Sequence, residues 1–170
     1  MERLYCDGRL CVACHACEVA CAVEHASSRS ILSVISTGEF AFPRRSVQAV
    51  GQSPYRPRVG GVALSLGCQH CSPAACVDAC ISGAMHKEEG ATVCDTEKCV
   101  GCWMCVMACP FDAVTPQKTA WKCDLCPNRS ELTGRARYAC VEACPTEALR
   151  AVNCELPAPS SELQAPRFDL

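Results

Sequence analysis

A chain of 170 residues with a formal charge of −2 has room for one domain or two small ones, and its Arg and Lys side chains do not add up to a nucleic-acid surface. Its 19 cysteines leave two classes open, a secreted disulfide scaffold or an intracellular metal protein. Met1–Cys6 has no basic start, apolar segment or small-residue cleavage site, and no apolar run nears the roughly 18 residues of a membrane span, so a reducing cytoplasmic compartment with free thiols is expected.

In chain order, a short strand is expected to end at Cys6, followed by a first group, Cys11, Cys14, Cys17 and Cys21. Residues 27–57 read as a linker or surface insertion. Within it, 31–36 and 46–50 are expected as short strands, and Phe42, Pro43, Arg44, Arg45, Tyr55, Arg56, Pro57 and Arg58 as irregular surface. A strand over 61–66 leads into the second group, Cys68, Cys71, Cys76 and Cys80. Residues 84–88 and 91–95 form a hairpin turned by Glu89-Gly90. The third group is Cys99, Cys102, Cys105 and Cys109, followed by Pro110. The fourth is Cys123, Cys126, Cys140 and Cys144, followed by Pro145. The tail, 155–170, is rich in Pro, Ser and Glu and is expected to be irregular, with a partner-binding role open to it.

The four groups are an internal repeat. The first and third are C-x2-C-x2-C-x3-C, the spacing of bacterial two-cluster ferredoxins, in which three cysteines hold one [4Fe–4S] cluster and the fourth reaches the other cluster of the pair. The second group carries two extra residues before its third cysteine, and the fourth carries the loop 127–139 at the same place. Thiolates are soft anionic donors suited to iron–sulfur chemistry, whereas zinc sites use separated cysteine pairs. The hairpin between Cys80 and Cys99 makes groups two and three one ferredoxin-like unit, leaving groups one and four to pair around it. The expected fold class is therefore α+β, loop-rich, with two nested bacterial-ferredoxin-like dicluster units of short hairpins and short helices. The inner unit spans 59–114 and the outer unit 1–58 with 115–154.

That pairing assigns the ligands of four [4Fe–4S] clusters. Cluster one takes Cys11, Cys14, Cys17 and Cys144; cluster two takes Cys68, Cys71, Cys76 and Cys109. Cluster three takes Cys80, Cys99, Cys102 and Cys105; cluster four takes Cys21, Cys123, Cys126 and Cys140. With four ligated [4Fe–4S]²⁺ cores the net charge becomes roughly −10. So few large apolar side chains need staples, and the clusters supply them, because ligand binding becomes folding free energy.

Three cysteines are left over. Cys6 and Cys94 each lie five residues before a group and are each followed by Asp, so both are expected to pack beside a cluster; Cys154 is similar, with a partner contact also open to it. Cys11-Val12-Ala13-Cys14-His15 formally matches a c-type haem site, but its cysteines are already committed to the cluster run. His15 is expected near the cluster or the surface. His70 is expected to make a second hydrogen bond behind the ligands or to be exposed, with tuning of cluster two as the sharper alternative. Trp103, Met104, Met107 and Trp121 are expected to keep water from the clusters. Lys122 and Arg137 stand either to stabilise a reduced cluster or to be plain solvated charges.

The four groups in this order, with Trp121–Cys126 and Ala139–Leu149, resemble the four-cluster electron-transfer subunits of the dimethyl sulfoxide reductase family, which also serve formate dehydrogenases and formate-linked hydrogenases. Cys14–Glu18, Cys80–Met85 and Cys99–Phe111 are more specifically similar to CooF-like small iron–sulfur subunits of nickel carbon monoxide dehydrogenases and tungsten aldehyde oxidoreductases. The departures are Ala22 and Ile81 where many ferredoxin runs have Pro, and Asp112 where Gly is common. The resemblance implies a non-catalytic subunit relaying single electrons between a catalytic oxidoreductase subunit and an acceptor such as a flavoprotein, hydrogenase or ferredoxin. The catalytic subunit would be a tungsten or molybdenum pterin enzyme or a nickel enzyme. The repeat also leaves self-stacking open. The alternative is a free polyferredoxin shuttling between enzymes. A regulatory sensor would need a DNA- or signal-binding module that the sequence does not display.

Overall fold

The computed structural model describes residues 2–39, 42–50, 62–127 and 129–153. Four antiparallel two-stranded ladders carry the backbone. β1 (Glu2–Cys6) pairs with β8 (Leu149–Asn153), from Glu2↔Asn153 to Cys6↔Leu149. β2 (Arg45–Val50) pairs with β3 (Val62–Gly67), β4 (Met85–Glu88) with β5 (Ala91–Cys94), and β6 (Thr115–Pro116) with β7 (Ala120–Trp121). The β4–β5 hairpin is closed by Glu89 at φ 46° and Gly90 at φ 84°, the two positive dihedrals of a turn whose twist matches the strands.

Six short helices complete the fold: α1 (Ala16–Glu24), α2 (Ile31–Thr37), α3 (Ala75–Asp78), α4 (Met104–Ala108), α5 (Arg129–Thr133) and α6 (Ala139–Glu142). The architecture is α+β and loop-rich, with no closed barrel among the described residues. In each cysteine group a helix lies between the third and fourth cysteines. α1 runs three residues past Cys21; Ala22 supplies the amide that a proline would lack. Pro110 and Pro145 lie beyond the ends of α4 and α6.

The interior has two apolar centres. One gathers Leu4, Leu125, Tyr138 and Leu149 around Cys17, Cys123 and Cys140; the other gathers Met85, Val114 and Ala120 around Cys105. Cys68 packs against the first and Cys76 against the second, so group two touches both.

Three expectations need correction. Residues 31–37 are helical, not a strand: their β-branched content suggested extension, but Ser30 accepts from the Val34 amide and Gly38 closes the helix at φ 66°, the left-handed stop that Gly makes without strain. Arg45 is not surface; it opens β2 and is buried. Met104 and Met107 are exposed and do not seal a cluster from water. The expected strands at 46–50 and 61–66 and the hairpin strands are present within a residue or two at their described ends. Tyr55–Arg58, Cys154 and the tail lie outside the described residues.

Candidate metal centre

The four C-x-x-C steps share one backbone device. The residue before the second cysteine has positive φ in every group: Ala13 (53°), His70 (48°), Gly101 (67°) and Leu125 (64°). Groups one and three add a second such residue after that cysteine, His15 at 59° and Trp103 at 61°. Only Gly101 among these adopts the conformation freely; the others carry strain of about 1 kcal/mol or more. Alternation between right- and left-handed residues turns successive amides toward one point and makes a concavity for an anion, as at many iron–sulfur sites. Asp112, where Gly is common, also has positive φ, at 48°, a conformation Asp tolerates better than most residues.

The cysteines gather across groups. Cys11, Cys14 and Cys17 line one cavity with Cys144, and Ser65 and Thr146 share its wall. Cys21 faces Cys123, Cys140 and Cys126; burial, with those neighbours adding to it, outweighs the Arg44 amide that donates to its sulfur and pushes its thiol up to about 12. Cys76 lies in the field of Cys68 and Cys109, and Cys105 in that of Cys80 and Cys99. Among the described residues all cysteines are free thiols. Cys14 and Cys102, the second cysteines of groups one and three, are the exposed ones.

Groups two and four repeat a detail at the fourth cysteine. The Met85 amide donates to Cys80 Sγ at 3.2 Å, with Ser82 Oγ at 3.7 Å; Cys144 Sγ has Thr146 Oγ1 at 3.8 Å and the Leu149 amide in the same role. Burial pushes both thiols up, but these donors outweigh it and lower them. Such bonds stabilise negative charge on sulfur and tune a cluster's potential.

The leftover cysteines behave alike. Cys6 ends β1 and Cys94 ends β5; each contacts the first cysteine of its group, Cys11 or Cys99. Burial raises both thiols, Cys94 to about 12, which keeps them neutral and suits packing.

Charged and polar side chains surround this arrangement. His70 is buried; its Nδ1 accepts from the Thr92 amide at 3.0 Å, and burial followed by Lys122 and Lys87 lowers its pKa to about 3. The neutral ring therefore carries its proton on Nε2, a buried donor with no partner among the described residues. Lys122 is buried too, not solvated, with Nζ donating to the carbonyls of Thr92 and Cys123. Arg137 is exposed and pairs with Glu2 at 3.0 Å, and His15 is exposed beside Glu18 at 2.8 Å. Trp121 donates Nε1–H to the Phe42 carbonyl at 3.2 Å and carries Arg44 over its ring at 4.3 Å.

Sequence reasoning missed two features. Asp124 accepts from His25 Nε2 at 3.0 Å, from the Cys126 amide at 3.0 Å and from Arg44. Burial pushes its carboxyl up, but His25 and Arg44 prevail and hold it well below the usual range. Arg45 donates Nε–H to Ser65 Oγ at 2.8 Å, Nη2 to the Ser65 carbonyl at 3.0 Å and Nη1 to Cys140 Sγ at 3.5 Å. Apart from the Cys126 amide, two residues from Asp124, the partners lie between 20 and 99 residues apart in sequence, so no local pattern signals them.

A family model described as a 4Fe-4S dicluster domain matches residues 60–154. The chain is 34% identical over 165 residues to an iron-sulfur protein of Rhodospirillum rubrum, covering 89% of this chain and 82% of the relative. It is 32% identical over 167 residues to the electron transport protein HydN of Escherichia coli, covering 86% and 85%. It is 39% identical over 149 residues to the putative oxidoreductase UacF of Escherichia coli, covering 84% of this chain and only 20% of that longer protein. No helix among the described residues is long and apolar enough to cross a membrane. With four cysteine groups that share a left-handed residue before their second cysteine and a family model matched over more than half of the chain, the chain belongs to the 4Fe-4S dicluster domain family.

Proposed function

We propose that this chain is a non-catalytic electron-transfer subunit holding four [4Fe–4S] clusters. The ligand sets are Cys11, Cys14, Cys17 and Cys144; Cys68, Cys71, Cys76 and Cys109; Cys80, Cys99, Cys102 and Cys105; and Cys21, Cys123, Cys126 and Cys140. The observation that carries the reading is the exchange of fourth cysteines, with Cys144 in the cavity of Cys11, Cys14 and Cys17 and Cys21 against Cys123, Cys126 and Cys140. The residues also fit such a group chemically: sulfur donors, a left-handed residue in each C-x-x-C step of the kind that builds anion-binding turns, and an orphaned buried donor at His70.

Two nested dicluster units follow, 59–114 inside and 1–58 with 115–154 outside. The β1–β8 ladder and the packing of α1 on α6 support the outer unit, and that of α3 on α4 the inner one. Bound clusters supply reversible one-electron chemistry. The chain's own residues hold the thiolates, aim amides at them and bury them behind Leu4, Leu149, Met85 and Val114. The exposed Cys14 and Cys102 bring groups one and three to the surface, where redox partners have access.

The partner is a catalytic oxidoreductase subunit, a tungsten or molybdenum aldehyde or formate oxidoreductase or a nickel carbon monoxide dehydrogenase. The acceptor is a flavoprotein, hydrogenase or ferredoxin in a reducing cytoplasm. The resemblance of Cys99–Phe111 supports this choice, as does a relative named as an oxidoreductase that contains a region like this chain. Anaerobic isolation of the native complex with metal analysis tests it. Tungsten or molybdenum selects the pterin enzymes and nickel selects carbon monoxide or hydrogen chemistry. A chain that purifies alone, fully loaded and stable, favours the free polyferredoxin instead.

A further inference from the structure

Arg45 joins two cysteine groups that are distant in sequence. The residue is 6% exposed, its guanidinium anchored on both oxygens of Ser65 and donating to Cys140 Sγ at 3.5 Å. Ser65 Oγ lies 3.3 Å from Cys17 Sγ. The series Cys17–Ser65–Arg45–Cys140 thus runs from group one to group four. Among the described residues no carboxylate lies within ion-pair distance of Arg45.

An isolated cation is costly to bury, by several kcal/mol. Here burial opposes the charge, while Cys140, Cys123 and Cys17 sustain it. Those sulfurs belong to two different ligand sets, so the guanidinium compensates charge on both.

We propose that Arg45 is a fixed cation at the junction of clusters one and four that raises the reduction potential of both. The inference rests on the ligand assignment above. On reduction one electron arrives from the donor, no proton moves, and the charge of core plus thiolates goes from about −2 to about −3. Arg45 faces that added charge where solvent does not screen it. Because Arg does not deprotonate in proteins, its effect is the same across the working pH range. Lys122 donates to the Cys123 carbonyl and lies within the field of Cys76, but it has no hydrogen bond to sulfur; among the described residues Arg45 is the cationic side chain that has one.

The test compares the parent full chain with Arg45→Lys and Arg45→Gln, each purified without oxygen and assayed for iron and acid-labile sulfide. Redox titration with mediators at a poised electrode is then followed by electron paramagnetic resonance. The expected result is a shift of part of the Arg45→Gln titration to more negative potential, equal at pH 6.5 and 8.5 and persistent in high salt, with Arg45→Lys titrating near the parent. If Arg45→Gln loses iron while Arg45→Lys keeps both iron and parental titration, the requirement for charge also stands. An unshifted, fully loaded Arg45→Gln overturns the proposal. So does equal iron loss or an equal shift in both variants, since shape rather than charge would then be at work. A parent chain with iron for only two clusters would sink the ligand assignment itself, a failure seen before any variant is titrated.

Discussion

Asp124 is the residue on which the group-four loop depends. It ties the Cys126 amide, His25 and Arg44 together, and His25 Nδ1 meets the Cys21 carbonyl at 2.7 Å. Asp124→Asn removes the charge that holds Arg44 and His25. It is expected to cost about 2 kcal/mol, the scale of hydrogen bonds to charged groups. The measurement is the denaturant midpoint for loss of cluster absorbance, and an unchanged midpoint would refute the role. The native carboxyl is depressed, so its contribution is present above the unfolded value of about 3.9 and is lost as pH falls through the lower native value. The difference between parent and Asp124→Asn is therefore predicted to be full at pH 7 and to shrink progressively as pH falls below about 4, where clusters are followed by rapid mixing.

At the scale of elements, the left-handed residue in each C-x-x-C step makes a reciprocal prediction. Gly101→Ala forces φ of 67° on a residue with Cβ, although the space is open, the nearest atom being Trp103 Cζ2 at 3.5 Å. Ala13→Gly relieves the same strain at the matching position of group one. The first change is expected to lower stability by about 1 kcal/mol and the second to raise it by a similar amount. Denaturant midpoints of the two loaded variants that move in the same direction would contradict the shared geometry. At this scale the sequence was informative where chemistry is local. Cysteine spacing announced the loops and intervening helices, and Glu89-Gly90 announced the hairpin. It misled over 31–37, where β-branched residues outweighed the Gly38 stop, and over Arg45, whose burial depends on Ser65 arriving from a paired strand.

For the whole molecule, the repeat is the ground for the nested arrangement proposed above, because a hairpin-length connection between groups two and three leaves groups one and four to meet. What spacing could not reveal was the buried Arg45 and Lys122 and the half-buried Asp124–Arg44 pair, since each is assembled from segments that only the fold brings together. The fourth-cysteine exchange predicts the behaviour of Cys144→Ala. Although Cys144 follows group four in sequence, Cys11, Cys14 and Cys17 should become open to alkylation, while Cys123, Cys126 and Cys140 stay protected. Peptide mass spectrometry after anaerobic alkylation reads this directly, and the opposite pattern would mean that group four closes on itself.

The central claim is that sixteen of the 19 cysteines hold four clusters. Iron and acid-labile sulfide per chain, measured on protein purified without oxygen, test it most directly. The account predicts about 16 of each, four per cluster. A value of about 8 would restrict the clusters to one dicluster unit, and stoichiometric zinc with little sulfide would contradict the iron–sulfur assignment altogether.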